Sequence, residues 1–129
     1  MSLDRPSKRG EGQDNLSRSY RVKKKSQRQE VRVAKLLSGR VTPGSGSFAG
    51  HKGDIVHDRF LIEAKRTDKD SLSIKNSWLG KIEAEAFQAG RYPALSIQIG
   101  SRSQCLGGEA DWVMIPLSVL ITLLEGCNA

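Results

Sequence analysis

Along the first 25 residues, apolar side chains recur at no helical or strand period, and Pro6, Gly10, Gly12 and several serines interrupt them. This stretch is expected to be a disordered tail. From Ser26 the pattern changes. In SQRQEVRVAKLLSG, Val33, Leu36 and Leu37 share one helical face with Gln29 or Glu30 a turn earlier; Ser26 can cap that helix and Gly39 ends it. RVTPGSGSFAGHKG offers a short strand at most, then a Gly/Ser loop. KGDIVHDRFLIEAKR reads as a hairpin turning at His57-Asp58-Arg59, with both arms rich in strand formers. In SIKNSWLGKIEAEAFQAG, Trp78, Ile82 and Ala86 recur at helical spacing, and Gly90 stops the helix. YPALSIQIG alternates as a strand with Pro93 near its start, ADWVMIP is another, and Pro116 opens a C-terminal helix, PLSVLITLLEG. The order is α-β-β-β-α-β, then β-α. It implies a mixed α/β (α+β) fold: a central mixed sheet flanked by helices.

The 129 residues suit one domain with its own core. The expected division is a basic tail at 1–25 and a single domain at 26–129. No apolar run reaches the roughly 20 residues that span a bilayer. The charged N-terminus is no secretory signal. Cys105 and Cys127 form no metal-finger spacing and read as reduced thiols, so a cytoplasmic location is expected. The net charge of +7 is concentrated: residues 1–28 hold nine Lys/Arg against three Asp/Glu, while the rest hold twelve against eleven. Such a tail, with Lys23, Lys24 and Lys25 at its centre, commonly contacts a polyanion through counterion release, or else simply solubilises. Aromatics make up only 5% of the chain, too few for a stacking platform that binds single strands.

The hairpin poses a chemical question, because its apolar strands carry Asp54, Glu63 and Lys65. With a two-residue turn at Asp58-Arg59, opposite residues have numbers that sum to 117. Ile55 then faces Ile62, Val56 faces Leu61 and Asp54 faces Glu63, on one side of the sheet. Glu63 and Lys65 are two apart and share that side, while Ile55, Phe60, Ile62 and Ala64 form a core stripe on the other. Two carboxylates this close repel, and a divalent cation removes the conflict. An ammonium beside them can orient a water or stabilise a pentavalent phosphorus, which suits phosphodiester hydrolysis. The structural alternative is a surface hairpin with a Glu-Lys pair and an unrelated aspartate.

Glu30, Gly53-Asp54 and Glu63-Ala64-Lys65, with the Gly/Ser loop PGSGSFAGHKGD between them, resemble the PD-(D/E)xK nuclease superfamily, and within it the archaeal-type and phage Holliday junction resolvases. The resemblance covers roughly residues 26–100, and Gly53 stands where the name-giving proline would be. It implies a restriction-endonuclease-like αβββαβ core. It further implies a Mg²⁺ ion, or Mn²⁺ in its place, ligated by Asp54, Glu63 and the Ala64 carbonyl. Lys65 would position the attacking water, and Glu30 would reach the site from the first helix. Ser45 or Ser47 would contact the scissile phosphate.

Lys52 and Arg66 are expected to hold DNA phosphate, and Lys69 and Lys75 flank the site. His51 reads as solvated, Trp78 as a core residue, and Lys81–Glu85 as a surface ion pair, with Lys81 a weaker candidate for the site. The C-terminal helix, apolar almost all round, is either a core helix or a dimer surface. The expected activity is a metal-dependent endodeoxyribonuclease for branched DNA, acting as a homodimer on a four-way junction. The alternatives are a phage or restriction-like nuclease for flapped, nicked or single-stranded DNA, and a DNA-binding module with a lapsed site.

Overall fold

A computed structural model of the chain describes residues 11–42, 53–100 and 110–127, the side chains of 11–23 excepted. Its elements are α1 (Glu11–Leu36), β1 (Arg40–Val41), β2 (Ile55–Val56), β3 (Phe60–Thr67), α2 (Asn76–Gln88), β4 (Tyr92–Ile99), β5 (Trp112–Met114) and α3 (Leu117–Cys127). The five strands form one mixed sheet in sequential order, β1 to β5. β3 and β4 are parallel and the other neighbours antiparallel. A parallel pair needs a crossover, and α2 supplies it. The fold is α+β, and its element order is the one the hydrophobic pattern predicts.

The β2–β3 register is also the predicted one, Ile55 opposite Ile62 and Val56 opposite Leu61. The His57 N–H donates to the Phe60 carbonyl at 2.9 Å, which closes the two-residue turn at Asp58-Arg59. Alternation along β3 then builds two cores. Ile62 packs with Val33, Ala34, Ile55 and Ala94 on the α1 side, and Leu61 packs with Ile82, Ala86 and Leu95 on the α2 side. Both faces of the central strands are covered, so neither reads as alternating hydrophobic and polar.

Two expectations are corrected. α1 begins at Glu11 rather than Ser26, so residues 11–25 are helical and Ser26 lies within the helix instead of capping it. The stretch after Gly12 contains neither Gly nor Pro and is rich in Lys, Arg and Gln, all good helix formers. Apolar periodicity registers only the part of a helix that packs on something. In α3, Pro116 sits one place before the helix, where its carbonyl accepts the N–H groups of Val119 and Leu120. Val119 is buried, but Leu117, Leu120, Ile121 and Leu124 are exposed. Cys127 is free and exposed; Cys105 lies outside the described residues. Among the described residues no helix is long and apolar enough to cross a membrane.

Candidate active site

Beyond Leu61 the α2 side of β3 turns polar. Glu63 and then Lys65 take the places that alternation would give to core residues. Their ammonium and carboxylate lie 3.6 Å apart, with both side chains half-buried or better. The backbone beneath them is held from the α1 side by Gln29, which is 1% exposed and donates to the carbonyls of Lys65 (3.1 Å) and Ser96 (3.4 Å).

Asp54 arrives at the site by a route that the simple register does not give. The β2–β3 ladder ends at Ile55–Ile62. There the Asp54 N–H donates to the Ile62 carbonyl at 2.9 Å, and its own carbonyl accepts the Thr42 N–H. The Asp54 carboxylate accepts the Ala64 N–H at 2.8 Å, which ties it across β3. So Asp54 is not the cross-strand partner of Glu63 but lies close by, one step out of the ladder. Gly53 makes this step possible. Its φ of 70° suits glycine, and a Cβ there would lie 2.8 Å from the Leu61 side chain.

Helix α2 contributes a second row of residues that runs opposite to β3. The indole of Trp78 carries the Lys65 ammonium 4.3 Å from its ring centroid. The Lys81 ammonium lies 3.9 Å from Glu63 and 4.0 Å from Glu85. The Glu85 carboxylate accepts the Gly53 N–H at 3.0 Å, immediately before Asp54. The three positions fall at i, i+3 and i+7, one stripe of a helix. The Lys81–Glu85 pair expected from the sequence is present, and Lys81 also reaches Glu63, while Trp78 is half-buried over Lys65 rather than a core residue. That these three share a stripe facing β3 becomes readable only once α2 is known to lie antiparallel over it.

The electrostatics follow from this crowding. Burial, and then the charge of Asp54, raises the pKa of Glu63, with Lys81 and Lys65 pulling the other way. Glu30, on α1, is pushed up to about 7, by burial first and then by the charges of Asp54 and Glu63. Glu30, Asp54 and Glu63 therefore share one field, and that field favours a cation or a proton.

The donors are all oxygen. The Ala64 N–H points at Asp54, and in an extended strand a residue presents its N–H and C=O to the same neighbour, so the Ala64 carbonyl faces that side too. No group of three or more His, Cys, Asp or Glu side chains is gathered as a metal cage among the described residues. Two carboxylates plus a carbonyl, with water and phosphate oxygens completing the shell, nevertheless fit Mg²⁺, a hard ion that keeps much of its water.

The other expected contacts divide. Ser45, Ser47, His51 and Lys52 lie outside the described residues, and Lys23 is described by its backbone alone. Lys24 is exposed. Lys25 and Arg66 both turn to Asp68, at 3.2 and 2.6 Å, and these bonds hold the Asp68 carboxyl below the usual range. With its side chain only 9% exposed, Arg66 braces the end of β3 rather than reaching outward as an open phosphate grip. Comparison with protein families, curated proteins and solved structures finds no match to this chain.

Proposed function

We propose that the protein is a metal-dependent endodeoxyribonuclease that hydrolyses phosphodiester bonds in branched DNA, with the four-way junction as its substrate. The observation that carries this reading is the gathering of Asp54, Glu63 and Lys65 on one face of the sheet, inside a field that raises the pKa of Glu63 and of nearby Glu30. A half-buried cluster of carboxylates with raised pKa values costs stability, and such clusters gather at functional sites. Asp54, Glu63 and the Ala64 carbonyl would hold Mg²⁺, which when bound supplies positive charge to the scissile phosphate and a water of lowered pKa.

The chain's own groups do the rest. The Lys65 ammonium donates to the attacking water and fixes its approach, and Glu30 borders the site from α1, within the field of Asp54 and Glu63. Lys81, with its side chain 61% exposed, is free to lean from Glu63 toward a phosphate oxygen. The exposed leucines and isoleucine of α3 suit a homodimer, and two symmetric cuts need two copies.

A second reading is a DNA-binding module without catalysis. Its support is that two ammonium groups already lie within 4 Å of Glu63, which balances that carboxylate with no metal. Labelled four-way junction, flap, single-stranded and duplex DNA, each incubated with Mg²⁺, Mn²⁺ or EDTA, separate the readings. Metal-dependent cutting of the junction supports a resolvase. Metal-dependent cutting of another DNA keeps the site and changes the substrate. Binding without cutting of any DNA leaves the module.

A further inference from the structure

A lysine that orients a water has to be held still. The Lys side chain has four rotatable bonds, and an ordered ammonium gives up their freedom. Glu63 holds Lys65 from one side at 3.6 Å, but in the nuclease reading that carboxylate also serves a cation, so its charge is shared. A second restraint that does not compete for the metal is needed. The Trp78 ring face, 4.3 Å from the Lys65 ammonium, has the right chemistry: it attracts a cation through its quadrupole and cannot ligate Mg²⁺. Trp78 is itself half-buried, near the start of the helix whose Ile82 and Ala86 are locked into the core, so the backbone that carries the ring is fixed by the fold. The exposed Lys75 places its ammonium 5.7 Å from the centroid of the same ring.

We propose that Trp78 is a positioning residue, whose indole face clamps the Lys65 ammonium in the direction that water activation needs. The role rests on the nuclease reading above and adds to it: α2 is half of the active site. Glu63 supplies Lys65 with charge balance, and Trp78 supplies it with direction.

The clamp can be read without metal or substrate. Reductive methylation with ¹³C-formaldehyde labels each lysine amine and keeps its charge. In the metal-free protein the Lys65 dimethyl signal, assigned with Lys65→Arg, is expected upfield of the other lysines through the indole ring current. Trp78→Leu should return it to the common position, Trp78→Phe should keep most of the shift, and Lys75→Ala should leave it in place. A Lys65 signal at the common position in the wild type overturns the clamp.

The second arm is kinetic, on labelled four-way junction with Mg²⁺. Trp78→Leu is expected to lower kcat about tenfold with KM little changed, the loss of one cation–π restraint, and Trp78→Phe to recover most of it. Full kcat in Trp78→Leu, with the ring-current shift gone, overturns the positioning role and leaves the nuclease reading intact. A wild type that cuts none of the four DNAs overturns the nuclease reading, and the positioning role with it, whatever the ring-current result.

Discussion

Ile62 and Glu63 are neighbours on β3 that face opposite sides of the sheet. Ile62 is 2% exposed and packs with Val33, Ala34, Ile55 and Ala94 against α1. Glu63 meets Lys65, Lys81 and the field of Asp54 on the side of α2. The α1 face is apolar at Val33, Ala34, Ile55, Ile62 and Ala94, and its buried polar groups are bonded inward, Gln29 to two backbone carbonyls and Gln98 to Arg32, which also pairs with Asp111. The α2 face is apolar only at Leu61, Ile82, Ala86 and Leu95, and then becomes a charged cleft. One strand therefore serves two ends. One side holds the sheet on its long helix, and that rigidity lets the other side keep groups that would not stay together by themselves.

The comparison breaks most visibly by substitution on either side of the same strand. Ile62→Ala should cost about 2–5 kcal/mol of stability, through lost burial and a residual cavity. Denaturant unfolding measures it, and Glu63→Gln in the same assay should cost nothing or gain. An equal loss from both would mean the faces are not specialised. Next in size, Gln29→Leu leaves the Lys65 and Ser96 carbonyls without their buried donor and should cost about 1–3 kcal/mol. A Mg²⁺ titration gives a similar magnitude with the opposite sign: saturation at 100 times the Kd raises stability by about 2.7 kcal/mol, and Asp54→Asn should abolish the rise.

The pH dependence comes from Glu30, with Glu63, also raised, adding to it with the same sign. The folded pKa of Glu30, about 7, lies above the ordinary 4.5, so the folded state binds the proton more tightly than the unfolded chain does. Stability without metal therefore rises as pH falls from about 7 to 4.5, and is lost again as pH climbs back through 7. Melting temperatures across that window should show the slope, and Glu30→Gln should reduce it to the part that Glu63 contributes. The smallest effect belongs to the surface pair Lys25–Asp68. Lys25→Ala should change stability by less than about 1 kcal/mol, and high salt should erase the difference.

The parts of this arrangement that were legible in the sequence are those set by local periods. A two-residue period carries Ile55–Ile62 and Val56–Leu61 into register, and the Asp58-Arg59 turn fixes it. The same period places Glu63 and Lys65 together. The sequence brings Asp54 near Glu63, but its step out of the ladder depends on Gly53 adopting a positive φ under Leu61, a tertiary fact. The roles of Trp78, Lys81 and Glu85 depend on how α2 lies across β3, which no helical period encodes. Arg66, next to Lys65, is expected from the sequence to hold DNA phosphate. In the fold it is drawn in by Asp68, two residues along, and so braces the strand end. The first half of α1 is not legible as a helix by apolar period because its sequence carries no apolar stripe.

The central claim is that the polar side of β3 cleaves a phosphodiester. Its most direct test is cleavage of labelled four-way junction in Mg²⁺ by the wild type and by Glu63→Gln, with binding of the same junction measured in EDTA. The account predicts paired nicks by the wild type, none by the variant, and equal binding by both. Equal cutting by both proteins, or binding by both with no cutting by either, would contradict it.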